Sequence, residues 1–477
     1  MKKKMLFLLI SISISITAAC SNGGEPAGGE EKPPFETGGE ELPGLFAEES
    51  YYDKLGERDF SGDTFTILSG TGIFFYNQSE EFTGDPINDA VIMRNKLIEE
   101  KYNIKIEYID RDDVGTALKG SVAAGEYWAD MMISSIIAMS GYAQNNLLYN
   151  VAAMPYLSLD SPWWSKLIYD NMTFDGKLYY TTGDISPGMY QAPAAMYVNH
   201  SLLQDYGIAD NLYELVYSGK WTFDVVERIC KDMDTDLNQD GKMHADDDFY
   251  GFIQQDNTLT SNTFCAGLGI KLSAIKENTI EVDLISPNSI EKIDKLAGFL
   301  KKASYNQQND IITKTFHDGR AVFLTHYLES ALLYLRTMEN DYGILPLPKY
   351  DEAQESYISS LNPWNPSSVG VPMIVDPEKA GFLLEAMAYA SYELIRPNVY
   401  ELVLKTKFAR DTESAGIVDL IIETSYLDLN SVYNFGGSTD IVRNAIFDKK
   451  PLVSAYEKAA AKIEKAVSQY IEALNGE

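Results

Sequence analysis

Cysteine, histidine and positive charge are all scarce in this chain. Three Cys in 477 residues exclude a disulfide scaffold, a multi-cysteine zinc site and an iron–sulfur cluster. Four His leave little room for a histidine-built metal centre. Lys and Arg number 39 against 70 Asp and Glu, a formal charge of −31. Affinity for a phosphate backbone is built from Lys and Arg, so nucleic acid is excluded as a default partner. Electrostatic docking on an anionic membrane is excluded on the same ground. Beyond the N-terminal segment, no run approaches the roughly 18 apolar residues that cross a bilayer. Gly-x-Ser-x-Gly, His-Glu-x-x-His and a phosphate-cradling glycine loop are also missing.

What is present supports a large core. Apolar residues make up 45% of the chain, enough for two or three domains or one bilobed body at this length. The start reads as an address. Lys2, Lys3 and Lys4 precede an apolar stretch from Met5 to Ile16, and Thr17-Ala-Ala19 supplies small residues before Cys20. Residues 1–19 are therefore expected to be a signal peptide. Residues 20–60 are expected to be an acidic tether. Positions 21–60 carry eleven acids, three bases and eight Gly, too little apolar surface to offset the entropy of ordering. Removal of residues 1–19 takes away three lysines and leaves −34. Cys230 and Cys265 would pair only if the fold brings them together; otherwise they are small buried groups.

From about Phe60 the pattern alternates strand and helix. Thr64–Leu68 is a β-type run. Asp85-Pro86 opens a helix, Asp as N-cap and Pro in the first turn, with Ile87, Ala90, Val91, Leu97 and Ile98 on one face. Ile104–Tyr108 and Met131–Ile133 are strands. Gly343–Pro348 and Val369–Val375 are later ones, and Pro377 starts a helix through Ala390. This order predicts an α/β sheet with crossover helices and ligands at the carboxyl ends of its strands. A last helix, Pro451 to Leu474, has an apolar seam three heptads long. It fits packing on its own body better than a dimer coil, so a monomer is expected. Trp163-Trp164 reads either as a stacking platform or as a helix start with both rings in the core, the latter favoured by Pro162.

Asp236-Leu-Asn238-Gln-Asp240-Gly241-Lys242-Met-His244-Ala-Asp-Asp247 has oxygen ligands at positions 1, 3, 5 and 12 and Gly at position 6. That spacing suits Ca2+, with Asp236, Asn238, Asp240, the Lys242 carbonyl and Asp247 as ligands and His244 acting through water. The plainer reading is an acidic turn. One such loop, rather than two, points to a structural clip.

Several short segments resemble, in family order, the extracellular solute-binding proteins of ABC importers. Cys20 after small residues resembles the bacterial lipobox, with Thr17 where Leu is usual; an ordinary signal peptide with an incidental Cys is the alternative. Asp130–Leu148 resembles the first-lobe binding loop, and Asp175-Gly-Lys-Leu-Tyr179 the family's hairpin. Ala194–Asn199 before Leu202-Leu203 resembles the hinge strand, and Gly219–Asp224 a helix start in the second lobe. Gly319–Leu324 and Tyr342–Pro348 resemble two later strands. The resemblance, closest to binders of the maltose type, implies a two-lobed periplasmic-binding-protein-like α/β fold (type II) that closes on a ligand. It implies lobe 1 from residues 61–197 and 355–390, and lobe 2 from 198–354 and 391–477 with the loop 236–247. It also implies permease partners, and a location outside the cytoplasm with Cys20 lipidated at the membrane.

A sugar presents apolar C–H faces and a fan of hydroxyls, which suits aromatic rings beside Asp, Glu, Asn and Gln. Carried onto this chain, the resemblance places ligand contacts at Ser134, Ser135, Asp184, Tyr190, Gln191, Thr325, His326, Tyr327, Glu329, Trp364 and Asn365. Tyr190 and Trp364 are expected to flank a sugar face. The chain departs from the maltose binders where serines replace their first-lobe aromatic and acid, and where Ala192 replaces their hinge-side Glu. The expected function is capture of an oligosaccharide without catalysis. A surface-anchored glycoside hydrolase is the alternative, and it would need two carboxylates facing each other across the cleft.

Overall fold

The computed structural model describes residues 51–70, 81–277, 279–300, 304–306, 309–365, 367–400 and 413–475. The signal segment, Cys20 and most of the tether lie outside the described residues.

Thirteen strands are described. They are β1 Asp63–Gly70, β2 Ile104–Arg111, β3 Met131–Ser135, β4 Ala194–Asn199, β5 Tyr250–Gln255, β6 Ala274–Lys276, β7 Thr279–Glu281, β8 Ser304–Asn306, β9 Ala321–Tyr327, β10 Tyr342–Leu345, β11 Ser359–Ser360, β12 Ser367–Gly370 and β13 Ser425–Tyr426. They form two main sheets. One has the order β12-β3-β1-β2, the other β10-β4-β9-β5-β8; β6 with β7 and β11 with β13 make two small pairs.

In the first sheet β1, β2 and β3 run parallel and β12 is antiparallel to β3. Strand β3 is buried throughout, as expected for a parallel strand covered on both faces. The crossover helix Pro86–Tyr102 begins as its sequence requires. The Asp85 carboxylate accepts from the Ile87 and Asn88 backbone N–H groups, and Asn103 ends the helix in the left-handed region. The helix Pro377–Leu394 packs on it and places Phe382 edge-on to Tyr102, with ring centroids 5.0 Å apart.

In the second sheet β9, β5 and β8 are parallel, and β4 runs antiparallel to both its neighbours, β9 and β10. Its core is aromatic: Phe252 meets Phe264 and Phe299, and Trp221 meets Phe323. All of β4 belongs to this sheet, so the expected lobe boundary at residue 197 falls inside a strand.

The sheets are joined where three segments run side by side. Asn362 N–H donates to the Ala192 carbonyl at 3.0 Å, and Leu361 N–H donates to the Tyr426 carbonyl at 2.8 Å. The buried Asp428 carboxylate braces this junction. It accepts from Leu272 and Ser273 N–H, the Ser273 and Tyr426 hydroxyls and Asn430 N–H.

The last helix, Leu452–Asn475, lies on the chain's own body. Ile463, Val467, Tyr470 and Leu474 are buried, but Val453 is exposed, so the seam is shorter than expected. Lys177 and Tyr179 donate to the Leu474 carbonyl, so this helix, expected in the second lobe, also touches residues expected in the first. Among the described residues no helix is long and apolar enough to cross a membrane. Cys230 and Cys265 are free thiols.

Candidate ligand cleft between the sheets

Strands β5 and β9 end side by side, with Gln255 and Tyr327 at their carboxyl ends. The short helix Pro187–Gln191 enters β4 at the same edge, because β4 is antiparallel to β9. From the other sheet, β12 starts beside the end of β3, with Ser367 opposite Ser135. The loop 361–365 leads into β12. Between these edges lies a cleft of about 400 Å³, within the usual size of a small-ligand site.

The structure brings six of the eleven expected ligand residues to this cleft: Gln191, His326, Tyr327, Glu329, Trp364 and Asn365. Each side is tied within itself. Glu329 N–H donates to the Gln191 carbonyl at 3.0 Å, and Trp364 N–H to the Asn362 side-chain oxygen at 3.0 Å. Asn365 Nδ2 donates to Glu329 Oε2. Burial strips water from the Glu329 carboxyl and pushes it up to about 7, against the pull of the Asn365 bond. Burial drives His326 the other way, down to about 4, and its Nδ1 pairs with the Ser330 hydroxyl. The Gln191 amide nitrogen is buried with no hydrogen-bond partner among the described residues. Trp364 is 56% exposed at the rim, an unusual place for so large an apolar ring.

The other five expected residues lie elsewhere. Ser135 caps the helix Ile136–Gln144 by accepting from Ala138 N–H, and the Ser134 carbonyl accepts from the Ser368 hydroxyl. Ser135 ends the strand and starts the helix, and Ser134 lies just before it within the strand. Thr325 is buried within β9, opposite Met196. Tyr190 turns away from the cleft. Its hydroxyl donates to Asp184 and its ring lies 5.4 Å from that of Tyr400. Asp184 sits 3.8 Å from Arg396, and burial still raises its carboxyl to about 6. Tyr190, expected to flank a sugar face, is not among the residues that line the cleft; Tyr327 and Tyr334 line it together with Trp364. Gln255, Tyr334, Asn362 and Ser367 also line the cleft and were missed. Gln255 follows the carboxyl-end rule and would have been found had the strand 250–255 been read.

Trp163 and Trp164 are core. Both indole N–H groups donate to the buried Glu385 carboxylate, at 3.2 and 2.7 Å.

In the acidic loop 236–247, side chains serve the loop's own backbone. Asp236 accepts from Gln239 and Gly241 N–H, Asn238 from Asp240 N–H, and Asp240 from Lys242 N–H. Asn238 Nδ2 donates to Asp247 Oδ2 at 2.9 Å. Among the described residues no three His, Cys, Asp or Glu side chains converge to hold a metal. The side chains as arranged cap the loop's own turns.

Two α/β sheets with a cleft between their carboxyl edges define a two-lobed binding protein. The chain belongs to the bacterial extracellular solute-binding protein family, whose pattern it matches over residues 88–375. Family members bind and present solutes rather than transform them, and they work outside the cytoplasm with ABC transporters. No curated protein sequence matches it. Solved structures share the fold. An ABC substrate-binding protein from Listeria monocytogenes in complex with cycloalternan aligns with a TM-score of 0.55 at 13% identity, over 85% of this chain and 99% of that one. A cyclo/maltodextrin-binding protein complexed with maltotetraose aligns at 0.57 and 13%, over 86% and 96%. The maltose-binding protein MalE from Listeria monocytogenes, with maltose bound, aligns at 0.52 and 16%, over 87% and 99%.

Proposed function

We propose that this chain captures an oligosaccharide in the cleft between its lobes and presents it to the permease subunits of an ABC importer. It does so while held at the membrane by a lipid on Cys20. The carrying observation is Trp364, largely exposed at the rim of a cleft whose floor holds buried amide and carboxyl groups. An exposed ring covers the apolar face of a sugar, and buried polar groups need the sugar's hydroxyls. Relatives of the same fold bind cycloalternan, maltotetraose and maltose. Among the described residues lining the cleft Glu329 is the one carboxylate, which favours binding over the two-carboxylate chemistry of a glycosidase. Ligand touching both lobes stabilises the closed state by its differential affinity, and that state is the signal to the transporter.

Fluorescently labelled protein on a printed glycan array, followed by calorimetry, tests the reading. Saturable binding of at least one oligosaccharide without turnover is expected; a folded protein that binds none rejects it. For the anchor, Cys20→Ala should move the protein to the soluble fraction. Labelled protein retained at the membrane would reject the lipid. For the loop, the spacing of Asp236, Asn238, Asp240, Lys242 and Asp247 supports a structural Ca2+, while their present bonds support a plain turn. A melting midpoint that falls in chelator and returns with calcium supports the ion; an unchanged midpoint with no calcium by elemental analysis rejects it.

A further inference from the structure

We propose that Gln191, Glu329 and Asn365 make the cleft selective for uncharged glycans, and that Glu329 turns away ligands bearing carboxylate, phosphate or sulfate. The proposal rests on the oligosaccharide reading above and narrows its ligand class.

The three side chains come from three segments: the short helix before β4, the turn after β9 and the loop before β12. They are held together by the Asn365–Glu329 side-chain bond and the 3.0 Å backbone bond from Glu329 to Gln191. Glu329 is 8% exposed and Gln191 5%, so both groups face the cleft largely without water. The Gln191 Nε2 group has no partner among the described residues, and a buried donor calls for an acceptor. Glu329 offers an acceptor in return. A hydroxyl is both donor and acceptor, so one sugar hydroxyl can satisfy both at once.

An anionic group cannot do so. Among the described residues that line the cleft there is no Lys and no Arg. The guanidinium of Arg396 is turned to Asp184 at 3.8 Å. A ligand anion would thus lie against a desolvated carboxylate with no cation among the described lining residues to offset it, the arrangement that is least tolerated in a dry site. The whole chain, at −31, adds to the repulsion.

The test uses the full extracytoplasmic protein at pH 8, above the value of about 7 to which burial raises Glu329, so that the carboxylate is ionised. The probe is a printed array carrying neutral oligosaccharides, their uronate- and sulfate-bearing counterparts, and amino-sugar oligomers. The best neutral hit and its acidic counterpart are then titrated by calorimetry. Hits confined to neutral members are expected, with the acidic counterpart at least tenfold weaker. Glu329→Gln should lower affinity for the neutral glycan yet narrow the neutral-to-acidic ratio by tenfold or more. Asn365→Ala should lower affinity while leaving that ratio in place, which separates the charge of Glu329 from general damage to the site. Acidic or amino-sugar hits by the native protein would overturn the inference and leave the oligosaccharide reading standing. An unchanged ratio in a folded Glu329→Gln protein, or an equal change in Asn365→Ala, would overturn the role of Glu329. Failure to bind any glycan would overturn both readings together.

Discussion

Two buried glutamates of this molecule have tryptophans in their neighbourhood, with opposite results. At Glu385 two indoles are buried, 6% and 4% exposed, and each gives its N–H to one carboxylate oxygen. The Tyr51 hydroxyl and Ser158 N–H complete the set, and Trp163 meets the Tyr51 ring edge-on at 4.5 Å. At Glu329, among the described residues, the carboxylate accepts from the Asn365 side chain, and the nearby Trp364 stays in solvent. Burial raises both carboxyls. A carboxylate saturated by the protein builds structure. One left with spare acceptor capacity, next to an uncovered ring, is placed for a ligand.

The strongest way to break this comparison is at the saturated end. Glu385→Ala leaves two buried indole N–H groups and a tyrosine hydroxyl without their acceptor. Bonds to a charged group contribute about 1.5–3 kcal/mol each, so a loss of about 3 kcal/mol or more is expected in a urea titration. Affinity for ligand should change little in the fraction that folds. Native-like stability in this variant would mean that the Glu385 cluster is dispensable and that saturation does not mark a structural role.

What could be read from the sequence follows from how local each cause is. The helix Pro86–Tyr102 was legible because Asp85, Pro86 and the apolar spacing all lie within one segment. The Asp175-Gly176 turn was legible because both residues adopt the positive φ that such a hairpin needs. The partner of Trp164 is 221 residues away, so no local pattern announces Glu385. Side-chain direction is equally hidden. Tyr190 and Gln191 are neighbours in one short helix, and a 3₁₀ turn sends adjacent side chains about 120° apart. Gln191 faces the cleft and Tyr190 packs on Tyr400. The strand-end rule and the resemblance pointed to segments, and some residues of those segments line the cleft, among them His326, Glu329 and Asn365. Neither could decide which of two adjacent residues looks in, and at Ser135 an N-cap and a ligand contact want the same hydroxyl.

A smaller effect sharpens the ligand end. Trp364→Ala removes a ring that neither lobe's core uses. A stacked aromatic contributes on the order of 1–3 kcal/mol, or roughly 5–150-fold in affinity. Calorimetry should show that loss, with an unchanged ligand-free melting midpoint. Lost stability instead would make Trp364 a second structural tryptophan and erase the contrast with Trp164.

The smallest effect is a slope, and it tests whether Glu329 has the spare capacity assigned to it. Its folded value, about 7, lies above its ordinary 4.5. The folded state therefore holds the proton more tightly than the unfolded chain between about pH 4.5 and 7. Stability from this group is present below pH 4.5 and is lost as pH rises through 7. His326, one turn away, behaves oppositely. Its folded value of about 4 lies below its ordinary 6.5, so its contribution is present above pH 6.5 and lost as pH falls toward 4. Between about pH 4.5 and 6.5 the two slopes oppose, and part of each is hidden in the native protein. Removing one uncovers the other. Glu329→Gln should make stability rise more steeply with pH across that window, and His326→Asn should make it fall more steeply. Chemical denaturation at half-unit pH steps would read both tilts against the native profile. Parallel profiles in all three proteins would mean that Glu329 and His326 are solvated in the folded state. The cleft floor would then lack the dry, half-satisfied polarity on which the contrast with Glu385 depends.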